Sequence, residues 1–386
     1  MVYTGLSGNE LYCLAKIGLQ PGDLIIGNSV FSLGILGGIR SGFKGMIGGE
    51  IHDYTDIINE GRRLSYKRLL KEVNERGALG ATGVTSELVV HPGNIEFLSI
   101  ASSLHSPNEG QHEPFTTSSN GQELYCQMDA GYTPKKFVFG NVAYSVGLAQ
   151  GFMGGLRTLA RGEIREYTDI FNATRNLALE RIVREAQSIG ANCVVGIETT
   201  ILPFQGVGVQ EMLMLGTASN CQFIEYGNAE AAVGDVDNVV TSDLTCQELW
   251  NITSMGYVPY KLVLGTSVYS LGFVGSVTSV IKGLAKGEIN ELTTLIYDAR
   301  EESIGKIQQE AEALGADDVI GIKTYVYSLG SGLIEFLAIG TAVKKVGASV
   351  RTRSEQLPPQ AVMPDKDTFY NTAETEFGVN LNSPNR

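Results

Sequence analysis

Three separate motifs in this chain each occur three times at fixed spacing, which constrains the fold more than any composition figure. Gly27-Asn28-Ser29-Val30-Phe31-Ser32-Leu33-Gly34 returns as Gly140-Asn141-Val142-Ala143-Tyr144-Ser145-Val146-Gly147 and as Gly265-Thr266-Ser267-Val268-Tyr269-Ser270-Leu271-Gly272. Gly49-Glu50-Ile51 returns as Gly162-Glu163-Ile164 and Gly287-Glu288-Ile289, and Glu10-Leu11-Tyr12-Cys13 as Glu123-Leu124-Tyr125-Cys126 and Glu248-Leu249-Trp250. Copies one and two are 113 residues apart (140 minus 27, 163 minus 50); copies two and three are 125 apart (265 minus 140, 288 minus 163). Constant intervals across unrelated motifs mean tandem duplication.

Each copy has one plan. A β-rich run such as Lys136-Phe137-Val138-Phe139 leads into the Gly-Asn/Thr segment, which reads as a turn. A glycine-rich connector follows, then a long amphipathic helix starting near Glu50, Glu163 and Glu288, where a carboxylate suits the positive end of the helix dipole. In copy two Ile164, Tyr167, Ile170, Phe171, Ile182, Val183, Ala186 and Ile189 fall mostly on one face. Gly190 and Gly315 stop their helices as C-terminal caps. Copy one aligns best at Gly80, which implies three extra residues there. Two strands close each copy, the second carrying Glu96, Glu211 and Glu335. The expected fold class is α+β: three β-α-β-β modules at 1–102, 123–219 and 248–346, each a helix packed on a small antiparallel sheet. Residues 103–122 and 220–247 read as polar linkers, and 347–386 as a disordered tail.

These motifs resemble the YbjQ-like family of heavy-metal-binding domains. The resemblance rests on Glu-Leu-Tyr-Cys, Gly-Asn-Ser-Val-Phe, the Gly-Ala pairs at Gly190-Ala191 and Gly315-Ala316, the Val194-to-Ile197 strand and the closing Gly-Thr-Ala at 216–218 and 340–342. It covers all three modules, whereas members are usually single modules. The resemblance implies a dodecin-like fold and ring-shaped homo-oligomers, commonly pentamers, and no established catalytic activity. Five chains stacked as three tiers is the arrangement expected over modules sharing one ring.

Assembly also follows from burial. A module of about 90 residues has a thin core and open sheet edges. The connectors carry Ile35, Leu36, Phe152, Met153, Phe273 and Val274, apolar residues with no evident place in their own module, so they read as an interface. The recurring glutamates Glu96, Glu211 and Glu335 read as edge charges, as partners across subunits, or as cation ligands around an axis.

Other functions are narrowed by composition and motif. A net charge of -13 argues against nucleic acid, which demands a basic surface. Paired cations in the connectors (Arg40 and Lys44, Arg157 and Arg161, Lys282 and Lys286) suit either an anion or acidic-lipid contact or a solvated face bridged to Glu50, Glu163 and Glu288. For a metal, Cys13 and Cys126 are the candidate ligands, gathered around an axis; against them, the third copy places Asn251 there, and none of the four histidines pairs with a cysteine in a motif. Without any recurring general base, nucleophile motif or phosphate loop, no enzyme and no cofactor are expected. The chain reads as a cytoplasmic, self-assembling scaffold. Metal or small-ligand binding at a subunit interface is the second reading, and a peripheral membrane assembly the third.

Overall fold

The computed structural model describes residues 1–32, 49–107, 114–145, 162–204, 209–221, 239–270, 290–330 and 333–363. Among them the mixed α/β architecture is repeated three times. Module 1 holds α1 (Gly8–Lys16), β1 (Gln20–Ser32), α2 (His52–Glu75), β2 (Gly80–Thr82), β3 (Glu87–His91) and β4 (Asn94–His105). After β5 (Phe115–Thr116), module 2 holds α3 (Gly121–Asp129), β6 (Tyr132–Ser145), β7 (Gly162–Glu163), α4 (Arg165–Ser188), β8 (Cys193–Phe204) and β9 (Val209–Cys221). After β10 (Val240–Thr241), module 3 holds α5 (Cys246–Ser254), β11 (Tyr257–Ser270), α6 (Asn290–Ala313), β12 (Asp318–Gly330) and β13 (Leu333–Lys345).

In every module the last strand lies between the other two, antiparallel to both, in the orders β1-β4-β2, β6-β9-β8 and β11-β13-β12. The β-α-β-β plan therefore holds, with one addition. Glu-Leu-Tyr-Cys opens a short helix rather than a strand. Ser7, Asn120 and Thr245 each accept from the backbone three residues on, and Glu10, Glu123 and Glu248 each accept the cap residue's own N–H. This reciprocal box satisfies two otherwise orphaned donors at the helix start.

The Gly-Asn/Thr segment corrects the sequence reading. It is no turn, because β1, β6 and β11 run straight through Gly27, Gly140 and Gly265. The module's own helix lies directly on these glycines. A Cβ on Gly140 would fall 2.2 Å from the Ala178 carbonyl oxygen, and one on Gly27 2.1 Å from that of Ser65. Glycine is required for backbone-to-backbone approach inside a strand. The helix-end alignment is corrected too. Module 1's left-handed stop is Gly77 (φ 58°), 113 residues before Gly190 (φ 65°), while Gly80 opens β2, so no insertion is present.

The segments read as linkers also carry structure. β5 runs parallel to β2, and β10 parallel to β8. Residues 347–363 of the expected disordered tail pack instead against α1 and α3, through a short helix α7 (Pro359–Val362) whose Ala361 is buried. Asn9, Gln122 and Gln247, equivalent positions in the three short helices, donate side-chain amide hydrogens to backbone oxygens of residues 360–363. Three matching donors around one short segment satisfy carbonyls that composition alone leaves unassigned.

Cores are shared across both module boundaries. Phe137 and Phe139 of module 2 share a cluster with Ile25 and Leu69 of module 1, and Leu264 and Val268 of module 3 share one with Phe171 and Ile182 of module 2. Each of α2 and α4 is thus packed between its own sheet and the sheet of the following module.

Replacing Gly140 by Ala will force α4 off its strand. A stability loss of about 1–3 kcal/mol, the usual overpacking range, is expected in denaturant unfolding; an unchanged midpoint would show that the helix does not need this contact.

Candidate assembly site

Two seams, between modules 1 and 2 and between modules 2 and 3, are built from the same parts. The first part is edge addition. The stretch preceding α2 lies along the free edge of β6: the Ile51 amide donates to Ala143 O at 2.8 Å and Ser145 donates to Gly49 O. The stretch preceding α4 does the same on β11, where β7 pairs antiparallel with Tyr269 and Ser270 and Ile164 donates to Val268 O. Thr55 Oγ1 accepts from the Ala143 amide, and Thr168 Oγ1 from the Val268 amide, both at 2.9 Å. Unpaired strand edges are thereby covered by a neighbouring module.

The second part is a charge pair at the centre of each seam. Arg62 of α2 meets Glu211 of β9 at 3.0 Å through Nε and 2.7 Å through Nη2, while its Nη1 donates to Ser86 O and Oγ. Arg175 of α4 meets Glu335 of β13 at 3.0 Å through Nε and 2.6 Å through Nη2, which also donates to the Tyr144 hydroxyl. All four charged side chains are fully buried. Burial pulls the Arg175 guanidinium down, but the charges of Glu335 and Tyr144 together with their hydrogen bonds outweigh it and the net shift is upward. Such a planar fork against a carboxylate fixes orientation as well as charge.

The third part rims the seam. Glu50 bridges to Arg181 at 2.7 Å and Glu163 to Lys306 at 3.2 Å, each time from one module to the next. This corrects the sequence reading of these glutamates as helix-dipole partners. The helices begin at His52 and Arg165, so these glutamates lie before the helix on the shared edge and serve a neighbour's cation rather than the dipole.

Where the linkers pass, hydroxyls join the modules. Thr217 Oγ1 accepts from the Ser118 amide and Thr341 Oγ1 from the Asp243 amide, both at 3.1 Å. Beside this crossing, between modules 2 and 3, lies a cavity of about 350 Å³ lined by Glu123, Glu198, Asp243, Lys323, Tyr325 and Cys246, among others. Burial raises the Glu123 carboxyl to about 7, helped by the charges of Glu198 and Glu10, against the lowering effect of the Asn120 amide. Asp243 is raised by burial as well, despite Lys323 beside it.

The sequence candidates fall out unevenly. Cys13 and Cys126 are brought together in one buried cluster with Cys193, Cys221 and Cys246. Burial pushes the Cys126 thiol up to about 12 and raises Cys193 and Cys246 well above the ordinary range. Among the described residues no group of three or more His, Cys, Asp or Glu side chains is placed to hold a metal ion. Ile35, Leu36, Phe152, Met153, Phe273, Val274 and the cations Arg40, Lys44, Arg157, Arg161, Lys282 and Lys286 lie outside the described residues. Of the recurring glutamates, Glu211 and Glu335 take the role of partners across a seam. Arg62 and Arg175 escaped the sequence reading although their spacing of 113 residues was available as a signal.

A sheet-and-helix module repeated three times and sealed by one type of seam defines a tandem-module protein. The chain belongs to the YbjQ-like family, described as "Putative heavy-metal-binding", whose model matches residues 20–91, 131–222 and 251–346. It is 27% identical over 255 residues to an encapsulin nanocompartment protein of Mycobacterium tuberculosis, covering 65% of this chain and 91% of that protein. A UPF0145 protein of Vibrio campbellii is 40% identical over 84 residues, 22% of this chain and 80% of the relative. One from Thermotoga maritima is 38% identical over 91 residues, 23% and 85% respectively. No helix among the described residues is long and apolar enough to cross a membrane.

Two predictions follow from this geometry. Arg175→Met leaves Glu335 buried without its counter-charge and should cost about 3–5 kcal/mol in urea unfolding, while Arg175→Met with Glu335→Leu should recover most of it; equal losses in both variants would refute the pairing. The Glu123 carboxyl binds its proton more tightly folded than unfolded, so its contribution to stability is present in acid and is lost as pH rises from about 4.5 through 7. Glu123→Gln should therefore flatten the fall in unfolding midpoint between pH 5 and pH 7.5, and an unchanged slope would contradict the assignment.

Proposed function

We propose that this chain is a non-catalytic structural protein that assembles with copies of itself into a ring of dodecin-like modules. The single observation that carries the reading is that one seam is used twice within the chain, each time with a fully buried Arg–Glu pair and a covered strand edge. A surface that specific, repeated in the same direction, is a head-to-tail joint, and head-to-tail joints generate rings or filaments. The similarity to an encapsulin nanocompartment protein supports a role in assembly. Fold alone would not, since one fold serves many functions.

The seam bears on arrangement. Stacked tiers would set like modules of different chains side by side, whereas this chain sets its own three modules side by side in one row. A closed row of whole chains holds a multiple of three modules, so a ring of five modules cannot be closed by whole chains in one row. The second reading, a small ligand bound between modules, is supported by the cavity of Glu123, Glu198, Asp243 and Lys323.

Native mass spectrometry of the purified full chain distinguishes these readings. A discrete species of two or more chains is expected, without bound metal by elemental analysis. A single chain at every concentration tested would overturn the scaffold reading.

A further inference from the structure

The three modules are equivalent, but only the middle one has a neighbour on both sides, and the two outer modules each present half of a seam. Arg300 of α6 stands 125 residues after Arg175 and occupies the same helix position as Arg62 and Arg175. Its two counterparts are fully buried against a glutamate, yet Arg300 is exposed and, among the described residues, meets the ring of its own Phe336 at 5.9 Å rather than a carboxylate. The matching glutamate is Glu96: it stands opposite Val30 in the β1–β4 ladder, as Glu211 stands opposite Ala143 and Glu335 opposite Val268. Among the described residues no arginine reaches Glu96. It is held instead by Asn28 at 3.0 Å and by the partly exposed His91 at 2.9 Å.

The apolar surroundings are split the same way. Ile26 and Val30 on β1 are 46% and 58% exposed, whereas Phe139 and Ala143, their equivalents on β6, are 2% and 0% exposed beneath α2. On the other end Ile322 of β12 is 42% exposed, while its equivalent Ile197 on β8 is 2% exposed beside β10. Val2 and Tyr3, which stand where Phe115 and Thr116 stand before α3, are exposed too. Among the described residues no exposed large hydrophobic side chain belongs to residues 114–221, the middle module. An apolar face with a half-buried acid on one end of a row, and a helix carrying the matching cation on the other, are complementary halves of one joint.

We infer that a second copy of this chain docks head-to-tail here, Arg300 of one copy pairing with Glu96 of the next while α6 covers Ile26 and Val30. In that joint Arg300 displaces His91 from Glu96, and Thr293, exposed at the position of Thr55 and Thr168, accepts the Val30 amide. The occupant is a copy of the chain because the seam already formed twice inside it is the template for the third. This inference rests on the self-assembly reading and adds the surface that performs it.

Arg300→Glu and Glu96→Arg test it by sedimentation velocity across a concentration series, with thermal melting as the folding control. Both positions lie on the open ends, so each variant should melt like the wild-type chain at concentrations where the wild type is dissociated. Each alone should dissociate to single chains, weakening association on the order of 100-fold or more, the scale set by an unpaired buried charge. In an equimolar mixture of the two variants every joint between unlike copies again carries opposite charges, so assembly should return with the two variants alternating. The double variant, with the charges exchanged, should assemble again. If the wild type assembles and neither variant changes its mass, another surface makes the contact and the inference fails while self-assembly stands. If the wild type is a single chain throughout, both fall.

Discussion

Everything in this architecture depends on a guanidinium and a carboxylate being buried together between successive modules. Taking two charges out of water is costly, and the cost is met only when geometry is good and the remaining donors find partners. Arg62 achieves this fully, through Glu211 and both oxygens of Ser86. Arg175 does so less completely: Nε and Nη2 pair with Glu335 and Tyr144, over whose ring the guanidinium lies at 4.5 Å, while its buried Nη1 has no hydrogen-bond partner among the described residues. Such a pair adds little net stability over an apolar substitute, but it tolerates only one register and one partner. Specificity of this kind suits a row in which similar surfaces must not mismatch.

Around that pair, a weak module becomes a strong one by borrowing. Three antiparallel strands and one helix bury one face of the sheet and leave the other face and an edge in water. The following module's sheet is covered by the preceding module's helix, and its outer strand is extended by the preceding module's pre-helix segment. The glycines of β1, β6 and β11 let the owning helix lie close enough to expose its opposite side to the neighbour. Fold, seam and row are consequences of one packing choice made three times.

How much of this the residues disclosed depended on period and range. Tandem modules, the long helices and the strand pair after them were legible because they rest on local periodicity and on motifs that recur. The Gly-Asn segment was misread, since a glycine required by an approaching helix looks, in sequence, like a glycine required by a turn. Gly77 was passed over for Gly80 because the Gly-Ala pair at 80–81, matching Gly190-Ala191, outweighed the constant interval of 113. The capping boxes at Ser7, Asn120 and Thr245 were written in the sequence and were simply subordinate to the Glu-Leu-Tyr-Cys pattern. The Arg–Glu seam was the hardest: its partners are 149 and 160 residues apart, and nothing local marks a surface arginine as destined for burial. Glu211 and Glu335 were noticed but assigned no partner, and the tail's docking through Asn9, Gln122 and Gln247 has no local signal at all.

The account's central claim is that the joint between chains is the same joint as the two within a chain. Amide hydrogen exchange at three equivalent positions measures this directly. Ala143 and Val268 donate to threonines of the preceding module and should be protected at any protein concentration. Val30 should match them where chains are associated and lose that protection on dilution, while the other two keep theirs. Rapid exchange at Val30 in fully associated protein would contradict the claim that one seam serves the whole row.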